Sequence, residues 1–125
     1  MSSGRMRRVD EAIRQVLGDA VTGELKDPRV GFVTVTDVRT SADLRHARVY
    51  VSVLDESGAP SEGAQREATL EGLRSAHGYL QSRLAAELRL KRTPTLQFDY
   101  DETTDRALRV DELLGEISDS EIEDS

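Results

Sequence analysis

Two short runs of alternating residues constrain this chain more than anything else in it. Apolar and polar residues take turns in Phe32-Val33-Thr34-Val35-Thr36 and in Ala47-Arg48-Val49-Tyr50-Val51-Ser52-Val53, the period-two signature of strands with one buried face. In the second run Ala47, Val49, Val51 and Val53 point one way, and Arg48, Tyr50 and Ser52 the other. The polar link Ser41-Ala42-Asp43 makes the two an antiparallel hairpin. The first run slips phase at Asp37-Val38, which marks a bulge or a strand end. A sheet with one apolar face must be covered, so the rest of the chain has to supply the cover.

Helical spacing supplies it. Met6, Val9, Ile13, Val16, Leu17, Ala20, Val21 and Leu25 recur every three or four residues, predicting an amphipathic helix from Arg5 to Leu25 that ends at Asp27-Pro28. A second helical stretch, Ala64 to Leu90, carries Leu70, Leu73, Leu80, Leu84 and Leu88 on one stripe. It is interrupted at Ser75-Ala76-His77-Gly78. A glycine inside a helix costs about 1 kcal/mol relative to alanine, so two helices meeting at a kink, the second opened by Gly78, describe it better than one rod. Leu96, Phe98 and Tyr100 then alternate with Gln97 and Asp99 behind Pro94, a third strand. Asp55 to Gly63 reads as an exposed loop, the weakest part of the body. Val110, Leu113, Leu114 and Ile117 predict a short terminal helix, and residues 118–125 an acidic disordered tail. The order α-β-β-α-kink-α-β predicts an α+β domain over residues 1–117, a three-stranded sheet covered by helices on one face. The uncovered face would show Thr34, Thr36, Arg48, Tyr50, Gln97 and Asp99, while Phe32, Phe98 and Tyr100 would join the apolar layer or its edge.

Charge has to be read by region. The 125 residues carry a net charge of −7, yet residues 1–100 hold 15 basic against 14 acidic groups and residues 101–125 hold 2 against 10. The acidity belongs to the C-terminal end, and basic clusters can exist in a nearly neutral body. Three stand out: Arg5, Arg7 and Arg8 at the head of the first helix; Lys26, Arg29, Arg45 and Arg48 around the hairpin; and Arg89, Lys91 and Arg92 before the third strand. Any one is more often a solvated charge than a contact; three together make phosphate contact a candidate role. At the kink, Ser75, Ala76, His77 and Gly78 would offer free amides and the positive end of a helix to a phosphate. The alternative is a corner made only for packing.

Catalytic and metal chemistry find little support. The chain has no cysteine, so neither a disulfide framework nor a thiolate zinc site is expected. Asp99, Asp101, Glu102 and Asp105 have ligand-like spacing, but Thr104 stands where a calcium loop needs glycine. His46 and His77 are far apart in sequence, and no nucleophile triad, phosphate loop or dinucleotide glycine motif occurs. No enzyme activity, metal or cofactor is expected. No stretch reaches the roughly 18 apolar residues of a membrane span, and Met1 to Arg5 predict no secretory signal. A cytoplasmic location is expected.

Longer stretches resemble a known family. Asp27-Pro28-Arg29-Val30-Gly31-Phe32-Val33-Thr34-Val35-Thr36-Asp37-Val38 and Ser41-Ala42-Asp43-Leu44-Arg45-His46-Ala47-Arg48-Val49-Tyr50-Val51-Ser52-Val53 resemble the first two strands of bacterial ribosome-binding factor A. Ala76-His77-Gly78 resembles that family's interrupted helix, Arg89 to Leu96 and Phe98 to Glu102 its third strand and entry, and Arg109 to Leu114 its usual ending. Thr103-Thr104 departs from the serine expected after the Asp-Glu pair, and nothing carries over to the acidic end. The resemblance implies a type II KH-like fold whose kink stands where other KH domains carry a Gly-x-x-Gly loop. It further implies a non-enzymatic factor, here a monomer, that binds immature small ribosomal subunits through ribosomal RNA, assists late rRNA maturation and processing, and matters for growth in the cold. A general RNA chaperone and a protein–protein adaptor using the open sheet edge are the competing readings.

Overall fold

Alternation and helical spacing become six elements in the computed structural model, which describes residues 4–103. They are α1 (Gly4–Gly23), β1 (Phe32–Thr40), β2 (His46–Leu54), α2 (Gly63–Ser75), α3 (His77–Leu88) and β3 (Thr95–Tyr100). The expected terminal helix and acidic tail lie outside the described residues. β1 pairs antiparallel with β2, and β2 pairs parallel with β3, so β2 is central in a mixed sheet. The parallel pairing needs a long crossover, and α2 and α3 supply it. The result is the expected α+β, KH-like architecture.

The helices cover one face. Val33, Val35 and Val38 of β1, Ala47, Val49, Val51 and Val53 of β2, and Leu96 and Phe98 of β3 are buried against Ile13, Leu17, Ala20 and Val21 of α1, Leu70 and Leu73 of α2, and Leu80 and Leu84 of α3. Leu88 packs at the margin of this core. With few aromatics available, Phe98 is the largest of its fully buried side chains.

Several expectations are corrected. α1 stops at Gly23 rather than at Leu25; the amides of Glu24 and Leu25 both turn back onto the Ala20 carbonyl (2.9 and 3.2 Å), an ending that satisfies late helix groups. The phase slip in β1 is a bulge and not a strand end: Val35 faces Val51, Asp37 faces Tyr50, and Thr36 between them has no partner. The strand continues to Thr40 with its faces exchanged. Phe32 is not part of the apolar layer but 63% exposed, and Ser52, expected on the open face, is buried.

The loop after β2 is also better secured than its composition suggests. The Asp55 carboxylate accepts from the amides of Ser57 (2.8 Å) and Ala59 (3.2 Å), which holds its carboxyl below the usual range, the Ser57 hydroxyl contributing most. Pro60 bridges to Leu54, the Ser61 amide donates to the Val53 carbonyl (2.8 Å), and Arg66 donates to the Ser61 carbonyl (2.9 Å). Ser61 is buried. The loop runs back along the side of β2 that β3 uses further down.

Candidate nucleic-acid interface

The helical stretch breaks at one residue. Ala76 has φ −89° and ψ 10°, outside the helical well. Its amide is shared between the carbonyls of Gly72 (3.2 Å) and Leu73 (3.1 Å), and its own carbonyl accepts from Leu80 (3.0 Å) to begin α3. His77, not Gly78, is therefore the first residue of α3. Gly78 comes next, exposed, with no heavy atom within 4 Å of where a Cβ would stand and without a positive φ.

The corner does structural work as well. The imidazole Nε2 of His77 accepts from the Leu96 amide (3.1 Å), Gln81 donates to the Pro94 carbonyl (2.8 Å), and Arg74 reaches the Phe98 carbonyl (3.5 Å). The Thr95 amide donates to the carbonyl of Arg45, the residue before β2 (2.8 Å), so the Leu96 amide points to the outer edge of β3. Helix side chains thus close an edge that would otherwise present unpaired groups. His77 spends its acceptor on the sheet.

The connection from α1 to β1 is drawn against this corner. A Cβ at Gly72 would lie 2.8 Å from Val30 Cγ2 and 3.3 Å from Arg29 Cβ, so only glycine lets the segment approach. Thr69 donates to the Arg29 carbonyl (3.0 Å). Arg29 pairs with Asp27 (2.6 Å) and also donates to Ser75 Oγ (3.2 Å). The Arg29 side chain, helped by the Arg29 amide, lowers the Asp27 carboxyl to about 2. Arg29 and Ser75, 46 residues apart, are thereby brought together.

Glu24 ties the end of α1 to α3. It accepts from the Tyr79 hydroxyl and from Arg83 (2.7 Å), which also meets Glu87 (2.9 Å). The Tyr79 hydroxyl first, and Arg83 next, hold the Glu24 carboxyl below its ordinary value. Tyr79 is 45% exposed beside Gly78. Sequence reasoning missed it, since its neighbours set no alternation to reveal it.

The remaining cations do not converge on the corner. Arg7 and Arg8 are exposed at the start of α1; Arg5 lies in the same turn, its side chain outside the described residues. Lys26 is exposed on the connection. Arg89 closes α3 in the left-handed region (φ 49°), and it is exposed together with Lys91 and Arg92. None of those three forms an ion pair among the described residues. The 12 residues of α3 put this group about 18 Å from the corner. Arg45 stands 3.9 Å from Asp43, and Arg48 3.3 Å from Asp99 on the uncovered face.

A further cation there was missed. The bulge turns Arg39 onto the uncovered face, directly opposite Arg48; the slip at Asp37-Val38 was its signal. Asp101 accepts from Thr36 (2.6 Å), and Asp99 forms an ion pair with Arg48, so these carboxylates are engaged within the protein. Among the described residues no three metal-ligating side chains gather, and no helix is long and apolar enough to cross a membrane.

The family model described as ribosome-binding factor A matches residues 5–114. Among solved structures, the crystal structure of ribosome-binding factor A from Thermus thermophilus is similar at 27% identity and TM-score 0.62, covering 76% of this chain and 94% of that one. The solution structure of a candidate ribosome binding factor A from Thermotoga maritima matches at 33% identity and TM-score 0.67, over 79% and 89%. A homology model of the Thermus thermophilus factor, fitted into a cryo-EM map of its 30S complex, matches at 30% identity and TM-score 0.56, over 72% and 88%.

Proposed function

The chain belongs to the ribosome-binding factor A family, and on that premise we propose that it binds immature small ribosomal subunits through their ribosomal RNA and assists late rRNA maturation and processing. The role is a binding one, without catalysis, carried out in the cytoplasm by a monomer and of most consequence in the cold. A relative fitted into a 30S complex supports the choice of subunit.

The observation that carries the RNA part is the corner itself. Gly78 stands exposed in the first turn of α3 with open space before it, where amides and the helix dipole favour an anion. Arg29, delivered to Ser75, adds a guanidinium beside it. Arg7, Arg8, Lys26, Arg45, Arg89, Lys91 and Arg92 extend the contact to phosphates further away and make binding strongly salt-dependent. Work on the subunit comes from differential affinity: the factor holds the RNA conformation it binds best until maturation removes that conformation.

Co-sedimentation tests the reading. The protein should travel with free small subunits, more with immature than with mature ones, and not with large subunits or joined ribosomes. Equal binding to large subunits overturns it.

A further inference from the structure

The uncovered face of the sheet holds a shallow cleft of about 450 Å³ lined by Arg39, Ser41, His46, Arg48, Tyr50, Thr95 and Gln97, among others. Arg39 and Arg48 are direct cross-strand partners. Like charges opposite one another weaken a strand pair, and here the bulge at Thr36 creates the juxtaposition by turning Arg39 to this side. Neither guanidinium is locked in place. Arg39 meets Asp37 at 3.2 Å and Arg48 meets Asp99 at 3.3 Å, with both guanidiniums more than half exposed and the carboxylates partly so. Exposed pairs of this kind are worth little, and a phosphate, which accepts from a guanidinium in bidentate fashion, replaces such a carboxylate readily. Tyr50 stands two residues along β2 from Arg48, with Asp37 and Asp99 as its cross-strand neighbours, and its ring centre is 6.0 Å from the Arg39 guanidinium carbon. That is the outer limit of a cation–π contact, so the ring is not sealed.

We propose that this face is a second RNA surface, taking a short single-stranded segment with a base stacked on Tyr50 and the flanking phosphates on Arg39 and Arg48. Single-stranded RNA is favoured over an acidic polypeptide by the combination of lining groups. An aromatic ring suits a base, paired guanidiniums suit phosphates spaced along a backbone, and His46, Thr95 and Gln97 supply donors and acceptors for base edges. All three helices occupy the other face, so one nucleotide cannot touch both this cleft and the corner at Gly78. The inference rests on the RNA-binding reading above but assigns a separate surface to it.

The full chain, titrated into a labelled 12-nucleotide oligouridylate and followed by fluorescence anisotropy at several salt concentrations, tests the proposal. Tyr50→Ala should weaken binding about 5- to 150-fold, the loss expected for one stacked base, whereas Tyr50→Phe should stay within about threefold. Arg39→Gln and Arg48→Gln should each flatten the slope of log affinity against log salt by about 0.7, one single-strand phosphate contact apiece. Urea midpoints of the variants, compared with the parent, show that they are folded. Folded Tyr50→Ala, Arg39→Gln and Arg48→Gln variants that bind the oligonucleotide like the parent overturn the proposal, even where co-sedimentation with small subunits is normal. Polyglutamate competing as well as the oligonucleotide at equal charge also overturns it, marking the face as merely basic. Oligonucleotide binding that depends on Tyr50, in a protein that fails to co-sediment with small subunits, sinks the subunit role and leaves the sheet surface standing.

Discussion

The bulge at Thr36 and the kink at Ala76 are each a single residue that interrupts a regular element and re-aims the side chains beyond it. They differ in what becomes of those side chains. The kink swings His77 onto the Leu96 amide and sets Ser75 against Arg29, so most of what it redirects is consumed in holding the fold. What it leaves open is backbone at Gly78. The bulge leaves backbone closed and side chains open: Asp10 accepts from the Thr40 amide (3.0 Å), Asp37 from that of Val38 (2.9 Å), and Arg39 is put out beside Arg48 and Tyr50. The lesson is that proximity to a candidate site does not make a group available. Availability has to be read from what the group already holds.

The bulge side carries the larger expected effect. Val38 stands on the core face, 2% exposed, because Thr36 is the extra residue of β1. Deleting Thr36 would keep the pairs on both sides of it, Val35 with Val51 and Asp37 with Tyr50, and so leave Val38 inside and Arg39 outside; replacing Val38 by aspartate tests the exchanged faces directly. Losing the burial of one valine costs about 1.5–3 kcal/mol, and a buried unpaired charge adds several more. We expect Val38→Asp to lower unfolding free energy by at least about 3 kcal/mol, measured by urea denaturation, and the deletion of Thr36 by less. A Val38→Asp variant of near-parental stability would show that Val38 does not face the core, and that Arg39 is not held on the uncovered face.

Two glycines around the kink should respond with opposite sign. Gly72→Ala pushes a Cβ to 2.8 Å from Val30 Cγ2, the end of a stiff β-branched side chain, and such overpacking costs about 1–3 kcal/mol. Gly78→Ala meets nothing within 4 Å and is helical, so helix propensity should stabilise the fold by up to about 1 kcal/mol. The same Gly78→Ala change should weaken binding to immature small subunits, since the added methyl stands where a phosphate would approach the first turn of α3. A stabilised Gly78→Ala protein that binds subunits at full strength reduces the corner to a packing device. A destabilised one would mean that the glycine serves the fold.

These outcomes bear on what the sequence could reveal. The hairpin, the leucine stripes, the bulge and the interruption at Ala76 all leave a local periodic trace, and all are legible. Gly72 is not, because its close approach to Val30 joins segments far apart in the chain and leaves no spacing signal. The parallel pairing of β3 with β2 is equally non-local. The loop after β2 misleads because serines, glycine and proline read as exposed, whereas Asp55 and Arg66 secure it through hydrogen bonds that composition does not encode. Among the candidate cations, those on elements are found and their partners are not: spacing puts Arg29 with the hairpin, yet Asp27 and Ser75 hold it at the corner. Arg39 escapes notice although the slip that exposes it is visible, since its orientation can be deduced only once the slip is known to be a bulge. Arg5 and the acidic tail remain expectations beyond the described side chains.

The smallest effect expected is a dependence on acid that belongs to the kink side of the comparison. Arg29 lowers the folded Asp27 carboxyl from 3.8 to about 2. A carboxyl whose folded value lies below its unfolded one stabilises the native state fully above the unfolded value, and the contribution fades as pH falls through the folded value. The Asp27–Arg29 pair should therefore contribute unchanged from neutrality down to about pH 5 and be lost progressively toward about pH 2. Glu24, lowered in the same direction by Tyr79 and Arg83, steepens the loss. Both pairs remain partly open to water, and screening there should keep the effect small. Replacing Asp27 with asparagine should make the urea midpoint less sensitive to acid between about pH 5 and about pH 2, and should release Arg29 from its hold beside Ser75. If the variant keeps the full acid sensitivity of the parent, Asp27 does not anchor the corner, and the packing of Val30 against Gly72 holds the connection there unaided.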